Sequence, residues 1–181
     1  DLAVEERYLE LPQEFREAVE GSSLAGPIKV GNETLHCTPE ILRRIVLEYG
    51  EVIMHAQSMY NSYLKNTPWD IDFELYLSKT GTAITPEEHY LVGFELTRNK
   101  VKLTAIGMDA VVENKALHDD IAVHAAIAEA CNYRLSIANA DLLGTDFSDV
   151  AKVLKGRVYF KFENILWLSA LQCLAEKEPA M

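Results

Sequence analysis

The sequence predicts an α/β protein built from parallel (β/α) repeat units, half or part of a TIM-type barrel, preceded by a small hairpin and a long helix. Three observations lead there. From residue 70 onward a short β-rich run alternates with a helical pattern four times, at a spacing of about 25–30 residues, which is the signature of βαβ units with right-handed crossovers. A helical period is sustained for about seven turns over residues 39–64, so a wide face must be buried against something large. The chain has 181 residues, whereas a closed eight-unit barrel takes about 250 and rarely fewer than about 200.

The elements follow in order. Residues 12–20 read as a short helix that opens with Pro12 and stops at Gly21, and 21–27 read as a linker. A hairpin comes next: Ile28 and Val30 alternate with Lys29, Gly31-Asn32 supplies the turn, and Leu35 to Cys37 return alongside. Thr38-Pro39-Glu40 starts the long helix, with Thr38 as cap, Pro39 in the first turn and Glu40 facing the positive end of the dipole. Its apolar set runs Ile41, Leu42, Ile45, Val46, Tyr49, Val52, Ile53, Ala56, Met59, Tyr60, Tyr63 and Leu64, with Gly50 tolerated at a cost of about 1 kcal/mol.

The first repeat unit pairs a strand at Ile71–Leu77 with a helix from Thr85 to about Arg98, where Thr85 and Glu88 form a capping box. The second pairs Val101–Ile106 with a helix over about 119–131, and the third pairs Tyr133–Ala138 with a helix from about Asp146 to Lys155. The fourth pairs Arg157–Phe162 with a helix over about 164–176. One domain over 1–181 results, divided into an N-terminal helix and linker (1–27), the hairpin and long helix (28–69) and the four β/α units (70–178).

Composition narrows the function. Apolar residues are 49%, charged residues 25%, and 17 Lys plus Arg stand against 28 Asp plus Glu, a formal charge of −11. The longest basic run is Arg43-Arg44, so nucleic acid and anionic membranes are excluded as expected partners, because both are usually met by a basic patch. No apolar run approaches the ~18 residues of a membrane span, and the first ten residues lack the basic start and apolar stretch of a signal peptide. Cys37, Cys131 and Cys173 are odd in number and widely spaced, fitting neither a disulfide framework nor a CxxC zinc site. These features together predict a cytoplasmic protein.

No GxGxxG, GxxxxGK[ST] or GxSxG motif stands at a strand-to-helix turn. Working groups in a parallel sheet lie past the carboxyl ends of the strands, here Ser78–Thr82, Gly107–Asp109, Ala138–Asp141 and Phe162–Asn164. Glu74 is in step with Tyr76 and out of step with Phe73 and Leu75, which makes it either an inward base or metal ligand, or a solvated, salt-bridged strand residue. Lys161, in phase with Tyr159, is a cation for a carboxylate or carbonyl oxygen, one half of a buried ion pair, or a lysine reaching solvent. Asp109, Asn139 and Asp141 offer oxygen groups after the second and third strands, although Leu142-Leu143 also fits a loop with apolar anchors. His124 shares a helical stripe with Ile121 and Ala128, and His55 one with Val52 and Met59, so both are expected to be packed helix histidines. His89 lies mid-helix, His36 in the hairpin and His118 before a helix, and none forms HxH or HExxH.

Several blocks resemble the tagaturonate epimerase family in order and spacing over roughly residues 25–178. They are Tyr49-Gly50 and His55-Ala56 in the long helix, Phe73-Glu74-Leu75, Thr85-Pro86-Glu87-Glu88-His89-Tyr90, His124-Ala125-Ala126-Ile127-Ala128, Tyr133-Arg134-Leu135-Ser136-Ile137, and Lys161 with Trp167-Leu168-Ser169-Ala170-Leu171. The resemblance implies the C-terminal half of a (β/α)8-like barrel that interconverts tagaturonate and fructuronate. Ser78-Lys79 stand where the family is expected to have an acidic pair, Ala138–Leu143 where it has a polar stretch, and Tyr159 where it has a histidine.

The resemblance implies a sugar-acid epimerase or isomerase, and the strand-end reading assigns Glu74 and Lys161 as its catalytic residues and Asp109, Asn139, Asp141 and Tyr159 as uronate-binding, with a divalent metal as an optional aid. The replaced positions imply an alternative, a non-catalytic binding or interaction module, or a fragment of a longer barrel enzyme. Four units leave two sheet edges open, so a homo-oligomer or a partner chain that completes the barrel is expected.

Overall fold

The computed structural model describes residues 2–20, 26–79, 82–112, 115–116, 120–143, 147–162 and 165–177. Two helices come first, α1 (Leu2–Glu10) and α2 (Gln13–Glu20). The first of them was not expected from the sequence, which placed the only N-terminal helix at residues 12–20. It is held by Tyr8, which is buried and donates a 3.0 Å hydrogen bond to Glu20, and by Glu5, which pairs with Arg43 at 2.6 Å. Of the expected linker, residues 21–25 lie outside the described residues, while Gly26-Pro27 open strand β1 (Gly26–Val30). β1 pairs antiparallel with β2 (Glu33–Cys37) through the expected Gly31-Asn32 turn, where Gly31 has φ +60°.

α3 (Pro39–Met59) begins as predicted, the Thr38 hydroxyl accepting from Ile41 N–H at 3.2 Å. It continues into a wider turn over Tyr60–Leu64, closed by Lys65 N–H to Tyr60 C=O. The buried face is narrower than the apolar list implied: Leu42, Ile45, Val46, Tyr49, Ile53, Ala56 and Tyr60 are in the core, whereas Val52, Met59 and Tyr63 are exposed. His55, expected to be packed, is also exposed, because it shares the solvent stripe of Val52 and Met59 rather than the 3.6-residue stripe that faces the core.

The four repeat units follow. Strand β3 (Glu74–Tyr76) leads to α4 (Pro86–Arg98), whose capping box between Thr85 and Glu88 is complete. Strand β4 (Ala105–Asp109) begins four residues later than predicted, since Lys100 adopts φ +61° and Val101 N–H closes onto Leu96 C=O, ending the helix before the chain extends. It is followed by two unpredicted two-residue strands, β5 (Val111–Val112) and β6 (Lys115–Ala116), then α5 (Ile121–Ala130). Strand β7 (Arg134–Ala138) leads through a short 3₁₀ turn (Ala140–Leu143) to α6 (Phe147–Val153), and β8 (Val158–Phe160) to α7 (Ile165–Lys177).

The four long-range strands form one parallel sheet in the order β3-β4-β7-β8, each beside its neighbour in sequence, as barrel winding requires. Register assigns the faces. Glu74 pairs with Ala105, Tyr76 with Gly107, Gly107 with Ser136 and Ser136 with Tyr159. The intervening Ile106, Met108, Leu135 and Ile137 are fully buried toward the helices. The other face is concave: Lys161 Nζ on the last strand's extension reaches Glu74 Oε1 on the first at 2.5 Å. Three inter-strand spacings amount to about 14 Å along the sheet, so side-chain contact between its two ends requires barrel-like curvature.

Among the described residues no helix is long and apolar enough to cross a membrane. One element departs from globular packing. Trp167, Leu168, Leu171 and Leu174 of α7 are 58–72% exposed, and Trp69 and Ile71, which precede the opposite edge strand, are 75% and 50% exposed.

Candidate active site

The concave face carries the candidate chemistry. Alternation along β3 turns Glu74 and Tyr76 inward while Phe73 and Leu75 pack against the core. Gly107, expected to lie past the strand end, is instead mid-strand, and its missing side chain is what admits them. A Cβ there would lie 2.7 Å from the Tyr76 ring and 2.9 Å from Glu74 Oε1. Lys161 is held by its backbone, its N–H donating to Ile137 C=O at 2.8 Å and its C=O accepting from Ala140 N–H at 3.0 Å. Its side chain, half exposed, spans the face to Glu74, whose side chain is about one-quarter exposed. Glu74 and Lys161 therefore meet.

A second group sits at the strand ends. Tyr76 O–H donates to Asp109 Oδ1 at 2.6 Å, and Asn139 Nδ2 donates to the same oxygen at 3.2 Å. Asn139 has φ +50°, a left-handed conformation that asparagine tolerates and that redirects the chain at the end of β7. Tyr159 accepts a short hydrogen bond from Arg134, whose guanidinium carbon lies 5.0 Å from the Tyr159 ring centroid. Tyr159 is thus tied to a neighbouring strand rather than to Asp109 or Glu74. Asp141 lies half-buried in the 3₁₀ turn, with Oδ1 buried and unpartnered among the described residues. Ser136, at the centre of the face, is buried and its hydroxyl likewise has no partner there.

The sequence reading singled out Glu74, Lys161, Asp109, Asn139, Asp141 and Tyr159 but passed over Tyr76, Arg134 and Ser136 as site residues. The period-2 rule that selected Glu74 and Lys161 selects these as well once the register between strands is known. Lys79, at the end of β3, turns away from this chemistry. It bonds Glu88 at 2.6 Å and Glu48 at 2.9 Å, pinning the strand end to α4 and α3. Burial acts against its charge, yet the two carboxylates outweigh that and raise its pKa.

His89 and His124 belong to the helix side. His89 Nδ1 lies 2.9 Å from His124 Nδ1, and His89 Nε2 lies 2.8 Å from the Tyr133 hydroxyl, all three residues being at most 2% exposed. The packed reading of His124 holds. Burial, with His124 beside it, pushes the His89 pKa well below the usual histidine value. His118 lies outside the described residues. Among the described residues no group of three His, Cys, Asp or Glu side chains is placed to hold a metal ion.

The sequence profile of UxaE, tagaturonate epimerase, matches residues 1–181. The chain belongs to the tagaturonate epimerase family. Solved structures agree. A fructuronate-tagaturonate epimerase UxaE from Cohnella laeviribosi with two glycerols superposes at a TM-score of 0.85 and 29% identity, over 97% of this chain and 38% of that one. The one-glycerol form gives 0.86 and the native form 0.82, each at 29% identity over 98% of this chain and 38% of that chain. The chain thus spans about 38% of the length of these epimerases. No curated protein matches it.

Proposed function

We propose that the chain is an epimerase of fructuronate and tagaturonate, acting as the half of a barrel that carries Glu74 and Lys161. The observation that supports this reading best is the 2.5 Å contact between those two side chains across the concave face, in a chain of the epimerase family. The two ketohexuronates differ at a carbon β to the ketone, whose C–H the ketone does not acidify, so inversion runs through retro-aldol cleavage: a base takes that carbon's hydroxyl proton, the bond to the α-carbon breaks with its electron pair passing to an enolate held on oxygen, and the aldehyde turns over before the bond re-forms. Glu74 supplies the base. Lys161 stabilises the oxyanion and, before reaction, draws the substrate carboxylate. The Tyr76–Asp109 pair, hydrogen-bonded at 2.6 Å on the same face, is the second acid–base group, and Asn139 orients Asp109. Asp141, in the turn after β7, and Tyr159, in the middle of β8, are the substrate contacts.

A divalent metal would need ligands from outside the described residues, since no set of three stands among them, and no step above runs through one. In this reading the remaining strands of the barrel lie outside these 181 residues, on a partner chain or on the rest of a longer one. In chain order α3 precedes the first sheet strand and α7 follows the last. A complement of four strands and three crossover helices would close eight strands, whereas a second copy would bring two helices to each seam. The protein acts in the cytoplasm on this reading, as its acidic composition suggests.

The test is NMR observation of tagaturonate incubated with the chain, alone and with the remaining units of a UxaE relative. Fructuronate appearing in the second mixture supports the proposal. Its absence in both, with and without divalent metal, would favour the non-catalytic module.

A further inference from the structure

The Glu74–Lys161 contact joins the first strand to the extension of the last, so it passes over the two strands between them. At that level those strands present Gly107 and Ser136, which are register partners, with Tyr159 beside Ser136 on β8. Gly107 contributes no side chain, and Glu74 Oε1 lies directly above it. Lys161 and Tyr76 on the same face are open to solvent, yet Ser136 is 1% exposed and its Oγ has no hydrogen-bond partner among the described residues. A buried hydroxyl without a partner costs stability. A valine or alanine would fit a central strand of this sheet without that cost.

We infer that Ser136 is a substrate-binding residue of this site, its hydroxyl taking a carbonyl or hydroxyl oxygen of the sugar acid in the space beside Gly107. The inference rests on the epimerase reading above. In the free protein the Glu74 carboxylate occupies Lys161, where an acid ligand's carboxylate binds. When the ligand takes Lys161, Glu74 swings off the ammonium and opens the floor formed by Gly107 and Ser136, with the Tyr76 ring over Gly107 as one wall. Serine suits the position because its single hydroxyl can donate to a carbonyl or accept from a sugar hydroxyl. The site thereby selects a polyoxygenated acid over a simple carboxylate of the same charge.

The test is calorimetric titration of tagaturonate, and of acetate as a charge-only probe, into the preparation assayed for epimerisation, with wild type, Ser136→Ala and Ser136→Cys. The expected result is tagaturonate affinity about 10-fold weaker in both variants, the loss of one hydrogen bond, with acetate binding unchanged and thermal unfolding no lower than wild type. Wild-type affinity in Ser136→Ala would overturn the assignment and leave the epimerase reading standing. A parallel fall in unfolding temperature and in affinity for both probes would overturn it in favour of a packing role. Failure of the wild-type protein to bind or convert tagaturonate would overturn the epimerase reading, and this assignment with it.

Discussion

Glu74 and Lys161 are 87 residues apart in sequence, and each was selected by alternation within its own strand. What alternation could not show is that the two would touch, because contact depends on how tightly four strands curve. If Glu74 is the base, Glu74→Gln should lower turnover by about 100-fold or more, the usual range for a positioned general base. Lys161→Met should weaken substrate binding as well as turnover, and steady-state kinetics separate the two effects. Ser136 stayed hidden for a different reason: a serine inside a β-rich run reads as neutral, and only the register places it between Gly107 and Tyr159.

The buried pair of His89 and His124 gives a second prediction at this scale. Above the ordinary histidine pKa of about 6.5 both folded and unfolded states hold His89 neutral, so nothing is lost. Below it the unfolded chain takes up a proton that the fold refuses, because burial depresses the folded pKa. Stability should therefore fall as pH drops below about 6.5, at up to about 1.4 kcal/mol per pH unit for this one proton. Urea midpoints at pH 7.5 and 5.5 check this, and the difference should shrink when both His89 and His124 are replaced by Gln.

Among the elements, α4 shows how a residue choice in a helix serves a strand. Gly93 leaves room for the Tyr133 hydroxyl at the entry to β7; a Cβ there would lie 2.3 Å from that oxygen. Gly93→Ala should cost about 1–3 kcal/mol by overpacking despite the better helix propensity of alanine. Tyr133→Phe should cost a similar amount by leaving His89 Nε2 unpaired in the core. Denaturant melts of the two variants test both.

The helices with explicit caps, at Thr38 and Thr85, were legible because Thr-Pro-Glu states both the cap and the dipole partner locally. α1 was not, since its stability comes from Tyr8, Glu5 and distant Arg43 rather than from its own signals. The two-residue strands β5 and β6 were too short for any period to mark. The face of α3 was overdrawn because its apolar residues spread beyond one stripe, and packing against α1, α4 and β2 decides which stripe is covered, leaving Val52 and His55 in solvent.

For the whole molecule, the repeat count and length together made a half barrel readable, and curvature across the Glu74–Lys161 contact agrees with it. The open flanks follow. One side presents Trp167, Leu168, Leu171 and Leu174, the other Trp69 and Ile71, and on the proposed reading these are the surfaces that the rest of the barrel would cover. Replacing Trp167 and Leu171 with Ser should abolish association with a barrel complement in analytical ultracentrifugation while leaving the fold intact by circular dichroism, since neither side chain packs in the core.

The claim on which the rest depends is that the carboxylate and ammonium meeting across the concave face perform the epimerisation. The direct measurement is kcat for tagaturonate conversion by the completed barrel carrying Glu74→Gln. A loss of about 100-fold or more with substrate binding retained is the result expected of a general base. Turnover equal to wild type would contradict it.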